Sequence, residues 1–272
     1  VGGTSIEVGE QNPGWIRRRD LTKLRAGLAR ADVLVCDSQA TLSACQKHFP
    51  NVNSVCVPLG LDINSFASAG QEHTAVLAPA SQLAKKCHLL VVGSHDPRKR
   101  LQFLCQVLGE LEIGMRQNIL VHHVGNETCP YGGDSASMLA QKYGVEGWIS
   151  HGGELSSEAL MHLRHASEAL LFPSASEGFG YPPLEAMACG TPVLCSNLPS
   201  HNELMPEETC LRADDKEAWK EAILSVYSNW QSRTKKDEVH VWPEPRSGLI
   251  EFASRYDQSR FCLRMAEVYD SL

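Results

Sequence analysis

Two glutamates flank a glycine loop in the segment with the richest chemical pattern. Residues 172–193 read FPSASEGFGYPPLEAMACGTPV, in which Glu177 and Glu185 lie eight positions apart. Gly178 and Gly180 permit close backbone approach, and the two prolines that follow favour the first turn of a helix. Free N–H groups at such a helix start attract anions, and a diphosphate would suit them. Carboxylates accept hydrogen bonds from hydroxyl groups, so we expect one glutamate to hold a sugar and the other a ribose.

A second glycine loop carries positive charge. It reads VVGSHDPRKR and contains Gly93, Ser94, Arg98 and Lys99. Cations are unfavourable at the start of a helix unless an anion lies nearby. This pattern therefore favours a phosphate-binding role for Arg98 and Lys99 over a solvated helix start.

The elements that must position these loops alternate along the chain. Short β-branched runs bounded by Gly, Pro or Asp predict buried strands, and runs of helical periodicity predict helices between them. The predicted strands are Val33–Cys36, Ser54–Val57, Leu89–Val92, Ile119–Val124, Ala169–Phe172 and Val193–Cys195. The predicted helices are Leu101–Leu111, Ser157–His165, Asp215–Trp230 (capped by Asp214) and Leu249–Tyr269. This alternation indicates an α/β fold with a Rossmann-like parallel sheet covered by helices on both faces. Both loops would then lie at the carboxyl edge, where such sheets bind ligands.

The glutamate segment resembles a known family. Glu177-Gly-Phe-Gly with Glu185 and the continuation AMACGTPV is similar to the E-x7-E signature of retaining glycosyltransferases of family 4. That family has the GT-B architecture of two facing Rossmann-like domains. Residues 54–66 resemble its lead into the donor domain, with Leu59 where Asn is usual, and Asp96-Pro-Arg-Lys resembles the phosphate-binding pair of one sub-branch. The resemblance covers about residues 30–230.

The resemblance implies a role for each matching position. Lys99 and Arg98 would neutralise the donor diphosphate, Glu177 would contact the transferred sugar, and Glu185 would contact the ribose. Catalysis is thus implied for Glu177, Lys99 and Arg98, and substrate binding for Gly93, Ser94, Gly178, Phe179, Gly180, Tyr181 and Glu185. The backbone N–H groups of Phe179, Gly180 and Tyr181 would approach the sugar and the phosphates. The nucleobase would lie near residues 148–152, although Trp148 is equally interpreted as a core residue.

The function implied is hexose transfer from a nucleoside-diphosphate sugar to a glycan, lipid-linked or other hydroxyl acceptor. The donor would be GDP-mannose, mildly favoured, or a UDP-sugar, with no metal or other cofactor. The alternative is a non-catalytic nucleotide-sugar-binding subunit completed by another chain. An NAD-dependent oxidoreductase is disfavoured because no G-x-G-x-x-G follows a predicted strand.

The motif order predicts a division of the chain into three parts. Residues 1–52 would be a remnant of the acceptor-side domain, and residues 53–240 the donor-binding domain. Residues 241–272 would be a Pro-rich linker and a C-terminal helix that packs back on the first part. Because the sequence starts at Val1 rather than Met, we expect a missing N-terminal domain or a partner chain, and Gly2-Gly3 is interpreted as a frayed end.

Composition excludes some classes of partner. The 272 residues carry a net charge of −7, which disfavours nucleic acid. No run approaches the roughly 18 apolar residues of a membrane span, so a cytoplasmic location is expected, with contact to the membrane face as one option. The basic amphipathic stretch 15–31 is interpreted as a solvated face or, alternatively, as that contact.

The cysteines and histidines fit structural roles. The ten cysteines form no C-x-x-C pair, and several lie inside apolar runs, which predicts reduced, mostly buried thiols. The histidines, among them His122, His123 and His151, show no metal-ligand spacing and are expected to be structural.

Overall fold

The computed structural model describes residues 15–68, 86–153, 155–237 and 246–272. The strands in these ranges are β1 Val33–Cys36, β2 Asn53–Cys56, β3 Cys87–Val92, β4 Ile119–Val124, β5 Trp148–Ser150, β6 Ala169–Phe172, β7 Val193–Ser196 and β8 Cys210–Leu211. The α-helices are α1 Trp15–Leu28, α2 Gln39–His48, α3 Ile63–Ser68, α4 Leu101–Gly109, α5 Ile113–Arg116, α6 Ala136–Lys142, α7 Ser157–Ala166, α8 Tyr181–Ala188, α9 Pro199–Leu204, α10 Lys216–Asp237, α11 Ser247–Ala253 and α12 Gln258–Asp270. All six predicted strands are present, and β5 and β8, the two edge strands of the larger sheet, were not predicted.

The strands form two parallel sheets. β1 pairs with β2, and the other six are ordered β5-β4-β3-β6-β7-β8. The chain runs outward from β3 through β4 to β5, returns to β6 beside β3, and then runs outward the other way. The strand order therefore reverses between β3 and β6, and ligands of open parallel sheets bind in the crevice at such a reversal.

Alternate residues of the central strands build two cores, one on each face of the larger sheet. On β6, Ala169 and Leu171 join a core with residues of α4, α6 and α10. Leu170 and Phe172 join the other core with residues of α7, α8 and α9. Because successive side chains of a strand point to opposite faces, a strand covered on both faces is apolar throughout. The predicted Rossmann-like α/β fold is confirmed.

The last predicted helix is divided. α11 ends at Ala253, a 3₁₀ turn covers Ser254–Tyr256, and α12 starts after Asp257. The Asp257 side chain accepts a hydrogen bond from the N–H of Ser259 and so caps a new helix. At the interruption the backbone also pairs with a distant segment, because Leu61 N–H donates to the carbonyl of Tyr256 at 2.8 Å. A single helix over Leu249–Tyr269 was therefore a wrong prediction.

Other boundary predictions need smaller corrections. Asp215, not Asp214, caps α10, since its Oδ1 accepts the N–H of Ala218 at 3.1 Å. The residues Gly2-Gly3 and 241–245 of the Pro-rich linker lie outside the described residues. The three-part division of the chain remains a prediction.

All ten cysteines are free thiols, and six of them are buried. Cys195 and Cys210 are register partners on β7 and β8, with their Sγ atoms 3.7 Å apart. On the basic stretch, Lys23, Arg25 and Arg30 are exposed. No helix of the described ranges is long and apolar enough to cross a bilayer.

Trp219 tests whether α10 anchors the core of its face. Its side chain is fully buried, stands edge-on to Phe103 at 6.0 Å between ring centroids, and donates from Nε1 to the Arg212 carbonyl at 3.2 Å. We expect Trp219→Ala to lower the free energy of unfolding by about 3–5 kcal/mol, measured by urea denaturation. The exposed Ile113 provides the control, for which Ile113→Ala should change it by less than about 0.5 kcal/mol. Equal effects of the two substitutions would contradict the packing role.

Candidate functional site

The loop after β3 is shaped by one aspartate and two unusual backbone conformations. Gly93 has φ +144°, and a side chain there would meet the aliphatic part of Lys99 at 3.3 Å. Asp96 Oδ1 accepts the N–H of Arg98 at 2.9 Å and caps the 3₁₀ turn Pro97–Lys99. Arg100 then adopts φ +56° and starts α4. The tight turn between strand and helix sets the direction of the two preceding cations.

The loop after β6 lies directly beside the first. Ala175 N–H donates to the carbonyl of Arg98 at 2.7 Å and joins the two loops. Gly180, with φ +113°, begins α8. The imidazole of the buried His201 lies 3.4 Å from the point that a Cβ on Gly180 would occupy. This position therefore favours glycine for its backbone angle, while a Cβ there would make only ordinary contact with the imidazole.

Glu177 joins the two cations. Its Oε1 lies 2.6 Å from Lys99 Nζ and 2.8 Å from Arg98 Nη1. The side chains of Lys99 and Glu177 are each 11% exposed, whereas that of Arg98 is 40% exposed. Burial lowers the pKa of the Lys99 ammonium, and the Glu177 carboxylate opposes that shift. The three predicted catalytic residues thus form one cluster, in which the Asp96 carboxylate, 3.9 Å from Arg98 Nε, is a second anion.

Unused backbone donors lie next to this cluster. The N–H groups of Phe179, Gly180 and Tyr181 donate to no acceptor in the part of the chain that the structure describes. The next two residues are prolines, which have no N–H. The Phe179 side chain is buried, with its ring edge-on to that of Tyr181 at 5.5 Å. Free N–H groups beside two cations make this edge of the sheet suited to an anion.

Glu185 is held elsewhere, by a residue that sequence reasoning missed. It lies in the second turn of α8, and its Oε2 contacts Nη2 of the buried Arg164 on α7. Nothing in the local sequence of Arg164 marks it, because it stands between Leu163 and His165 in an ordinary amphipathic helix. The partnership arises only when α7 and α8 pack on the same face of the sheet.

The remaining predicted binding residues surround the two loops. Ser94 is exposed, and its carbonyl accepts the N–H of Asp96 at 2.8 Å. The Gly178 carbonyl accepts a hydrogen bond from the hydroxyl of Ser38, which precedes α2, at 2.8 Å. The Tyr181 hydroxyl donates to the carbonyl of Gly60 at 3.1 Å. Segments from before β3 therefore touch the glycine loop from two sides.

A second contact joins the same two parts of the chain. Glu203 on α9 accepts the N–H groups of Gln39 and Ala40 through its two carboxylate oxygens, each at 2.7 Å. These N–H groups are the first of α2, where a helix favours negative charge. The hydroxyl of Ser200 on the same helix donates to the carbonyl of Glu177 at 2.9 Å. α9 thus supports the glycine loop and binds α2 at the same time.

Trp148 packs into the protein. It lies on β5 against one of the two cores, and its ring is 5.6 Å from that of His123. This contact favours the core interpretation over one in which Trp148 faces a nucleobase. The nucleobase position remains a prediction.

Three other histidines form a hydrogen-bonded line across the sheet. His122 Nε2 is 2.9 Å from His88 Nδ1, and His122 Nδ1 is 3.1 Å from His151 Nε2. Burial lowers the pKa of His122 to about 3, and both neighbouring histidines add to that shift. Among the described residues, no group of three His, Cys, Asp or Glu side chains could hold a metal ion.

The sequence of the chain matches a known protein family. The profile of the family described as glycosyl transferases group 1 matches residues 79–238. The chain belongs to this family. The resemblance to glycosyltransferases is thereby confirmed, while the narrower placement in family 4 and the roles of the E-x7-E residues remain predictions.

Curated relatives of this group 1 chain match over part of their length. The chain is 37% identical to O-antigen chain mannosyltransferase B of Escherichia coli over 127 residues, which are 46% of the chain and 32% of that protein. It is 39% identical to O-antigen chain mannosyltransferase RfbU of Salmonella typhimurium over 105 residues, which are 38% of the chain and 26% of that protein. The matches therefore span about a third or less of these relatives.

Solved structures share the fold of the chain. Sucrose-phosphate synthase from Thermosynechococcus elongatus superposes with a TM-score of 0.74 at 22% identity, covering 100% of this chain and 66% of that one. Anabaena HepE, in complex with UDP and glucose, gives 0.71 at 18% identity, covering 93% and 68%. These likenesses confirm the expected GT-B architecture.

Oε1 of Glu177, which contacts both Lys99 and Arg98, should affect how tightly the cluster binds an anion. Because Glu177 neutralises part of the charge of Lys99 and Arg98, Glu177→Gln should strengthen the binding of inorganic pyrophosphate by about threefold or more, measured by calorimetry. Glu217→Gln is the control, since Glu217 pairs with Lys220 on the exposed side of α10 and should leave that affinity unchanged. Weaker binding by Glu177→Gln would show that the carboxylate orients the cations instead of competing for them.

Proposed function

We propose that the protein is the donor-binding part of a retaining glycosyltransferase. It would transfer a hexose from a nucleoside-diphosphate sugar to a hydroxyl group of a sugar, lipid or other acceptor. The observation that carries the proposal is the cluster of Lys99, Arg98 and Glu177 at the reversal of strand order, beside three free N–H groups. Membership of the group 1 family supports the reaction class.

The arrangement suits the departure of a diphosphate. As the bond from the anomeric carbon to the phosphate oxygen breaks, the electron pair stays on that oxygen, where Lys99 and Arg98 stabilise the charge. The acceptor oxygen forms the new bond from the same face, and its proton passes to the leaving phosphate oxygen. Such a reaction needs no protein base, so catalysis here consists of positioning and electrostatic stabilisation. Glu177 would contact hydroxyl groups of the sugar, and Glu185 those of the ribose.

The donor we favour is GDP-mannose. Two relatives are named mannosyltransferases, and Asp96-Pro-Arg-Lys resembles one sub-branch of the family. UDP-sugars are the second candidate, since HepE was solved with UDP and glucose. The acceptor side would come from an N-terminal domain or a partner chain, because the matches span only a part of the relatives.

A thermal-shift panel tests the proposal. We expect a nucleoside diphosphate or its sugar, among those of UDP, GDP and ADP, to stabilise the protein by about 2.7 kcal/mol at a hundred times its Kd. NAD should cause no shift. If NAD stabilises the protein and no nucleoside diphosphate does, the proposal is wrong. Where a nucleotide binds, sugar transfer or slow donor hydrolysis by this chain distinguishes an enzyme from a binding subunit.

Lys99 is the residue on which diphosphate binding should depend most. Lys99→Ala removes a cation that would donate to the phosphate oxygens, so the affinity for the nucleoside diphosphate should fall by about tenfold or more. The midpoint of thermal unfolding without ligand should fall, because the largely buried Glu177 loses one partner, but the protein should still fold, because Arg98 remains paired with Glu177. Lys216→Ala is the matched control, because Lys216 forms a partly exposed ion pair with Glu110 away from the loops. Unchanged affinity in Lys99→Ala would remove Lys99 from the phosphate site.

A further inference from the structure

Arg164 is a buried cation that the proposed chemistry leaves without a role. Its side chain is only 5% exposed, and it lies near the end of α7, the helix that leads into β6. A buried guanidinium is costly unless an anion pairs with it. The anion here is Glu185, one of the two glutamates of the signature segment. The ion pair therefore connects a buried side chain of α7 to a predicted ligand-binding residue of α8.

The protein holds Arg164 from several sides. The Thr191 hydroxyl donates to its carbonyl at 2.8 Å, which ties the end of α7 to the segment before β7. Its guanidinium carbon lies 5.6 Å from the centre of the Phe66 ring on α3. The next residue, His165, donates from Nε2 to the carbonyl of Phe66 at 2.9 Å. The backbone of Arg164 is thus tied to Thr191, and its guanidinium lies between Phe66 and the Glu185 carboxylate.

The pairing leaves one carboxylate oxygen of Glu185 unused. Oε2 contacts Arg164, whereas Oε1 accepts no hydrogen bond from any residue that the structure describes. The Glu185 side chain is 23% exposed, so it is partly open to solvent. It contacts neither Lys99 nor Arg98, whose carboxylate partner is Glu177. Glu185 thus has one oxygen anchored and one oxygen available to a ligand.

We propose that Arg164 is a positioning residue, which holds the Glu185 carboxylate in the orientation that binds the ribose of the nucleoside diphosphate. This inference rests on the proposed function. A glutamate side chain has three rotatable bonds, and fixing its rotamers before the ligand arrives lowers the entropic cost of binding. The planar guanidinium suits this task better than an ammonium group, because its donors are fixed relative to one another.

The role of Arg164 can be measured as the preference of the protein for a nucleotide with ribose hydroxyl groups over one without them. Calorimetry compares the affinities of the protein for GDP and 2′,3′-dideoxy-GDP, and for the corresponding uridine pair. We expect the wild type to prefer the ribonucleotide, and Arg164→Met to lower that preference by about tenfold, comparable to the loss of one charge-assisted hydrogen bond. Affinity for inorganic pyrophosphate, which has no ribose, should stay unchanged in the same variant.

A double-mutant cycle separates positioning from an independent effect. Glu185→Ala should abolish the preference for ribose and lower the affinity for GDP, and adding Arg164→Met to it should then leave the remaining affinity for GDP unchanged. Arg233→Met is the matched control: Arg233 forms an ion pair at 2.5 Å with the buried Glu168, next to the amino end of β6, at the opposite edge of the sheet. This variant should keep the wild-type preference.

If Arg164→Met does not fold, the ribose preference is measured with Arg164→Lys in its place. It keeps the charge and loses the planar geometry, so the ribose preference should fall by a smaller factor, about threefold. A wild-type preference in the folded Arg164 variant would overturn the proposal and leave the ion pair with only a packing role. A further loss in the double variant would overturn it as well.

The outcomes for the wild type distinguish the two proposals. If the wild type binds neither GDP nor UDP, the proposed function fails. If it binds one of them without discriminating ribose from dideoxyribose, Glu185 does not contact the ribose. The role of Arg164 is then overturned, while the proposed function stands.

Discussion

The pairing of β3 with β6 is the constraint on which the site depends. Leu89 and Leu90 are register partners of Ala169 and Leu170, so two strands distant in the sequence end side by side. The loops that follow them meet as a result, and the hydrogen bond between Ala175 and Arg98 joins their backbones. Apolar side chains on both faces of these strands pack into the two cores, and a shift by one residue would exchange the residues of one core with those of the other.

Because the two loops meet, the charged side chains of one loop pair with the carboxylate of the other. Lys99 is held in a partly buried position that lowers its pKa, which is tolerable because Glu177 lies 2.6 Å away. A ligand carrying a diphosphate would replace one anionic partner by another, so the cations would remain compensated throughout binding and release. The side chain of Lys99 also lies over the Phe172 ring at 4.5 Å from its centre, which restricts its movement. Lys99, Arg98 and Glu177 therefore hold one another in a defined arrangement.

The sequence predicted the parts of the fold that depend on local patterns. The central strands were recognisable because both of their faces are buried, whereas β5 and β8 are short edge strands with little of that signal. The glycine loops and the charges of Lys99, Arg98 and Glu177 could be read for the same local reason. Arg164 could not, because its pairing with Glu185 is a product of tertiary packing. The division at Asp257 likewise depends on a contact with Leu61, nearly two hundred positions earlier.

The contacts of α2 have a consequence for how the chain can be divided. Glu203 and Gly178 belong to the part around the large sheet, yet their hydrogen-bond partners are Gln39, Ala40 and Ser38. A shorter chain that started after β2 would leave the Glu203 carboxylate without its helix end and the Gly178 carbonyl without its donor. The leading βαβ segment therefore forms one wall of the glycine loop and contributes to the surroundings of the six-stranded unit.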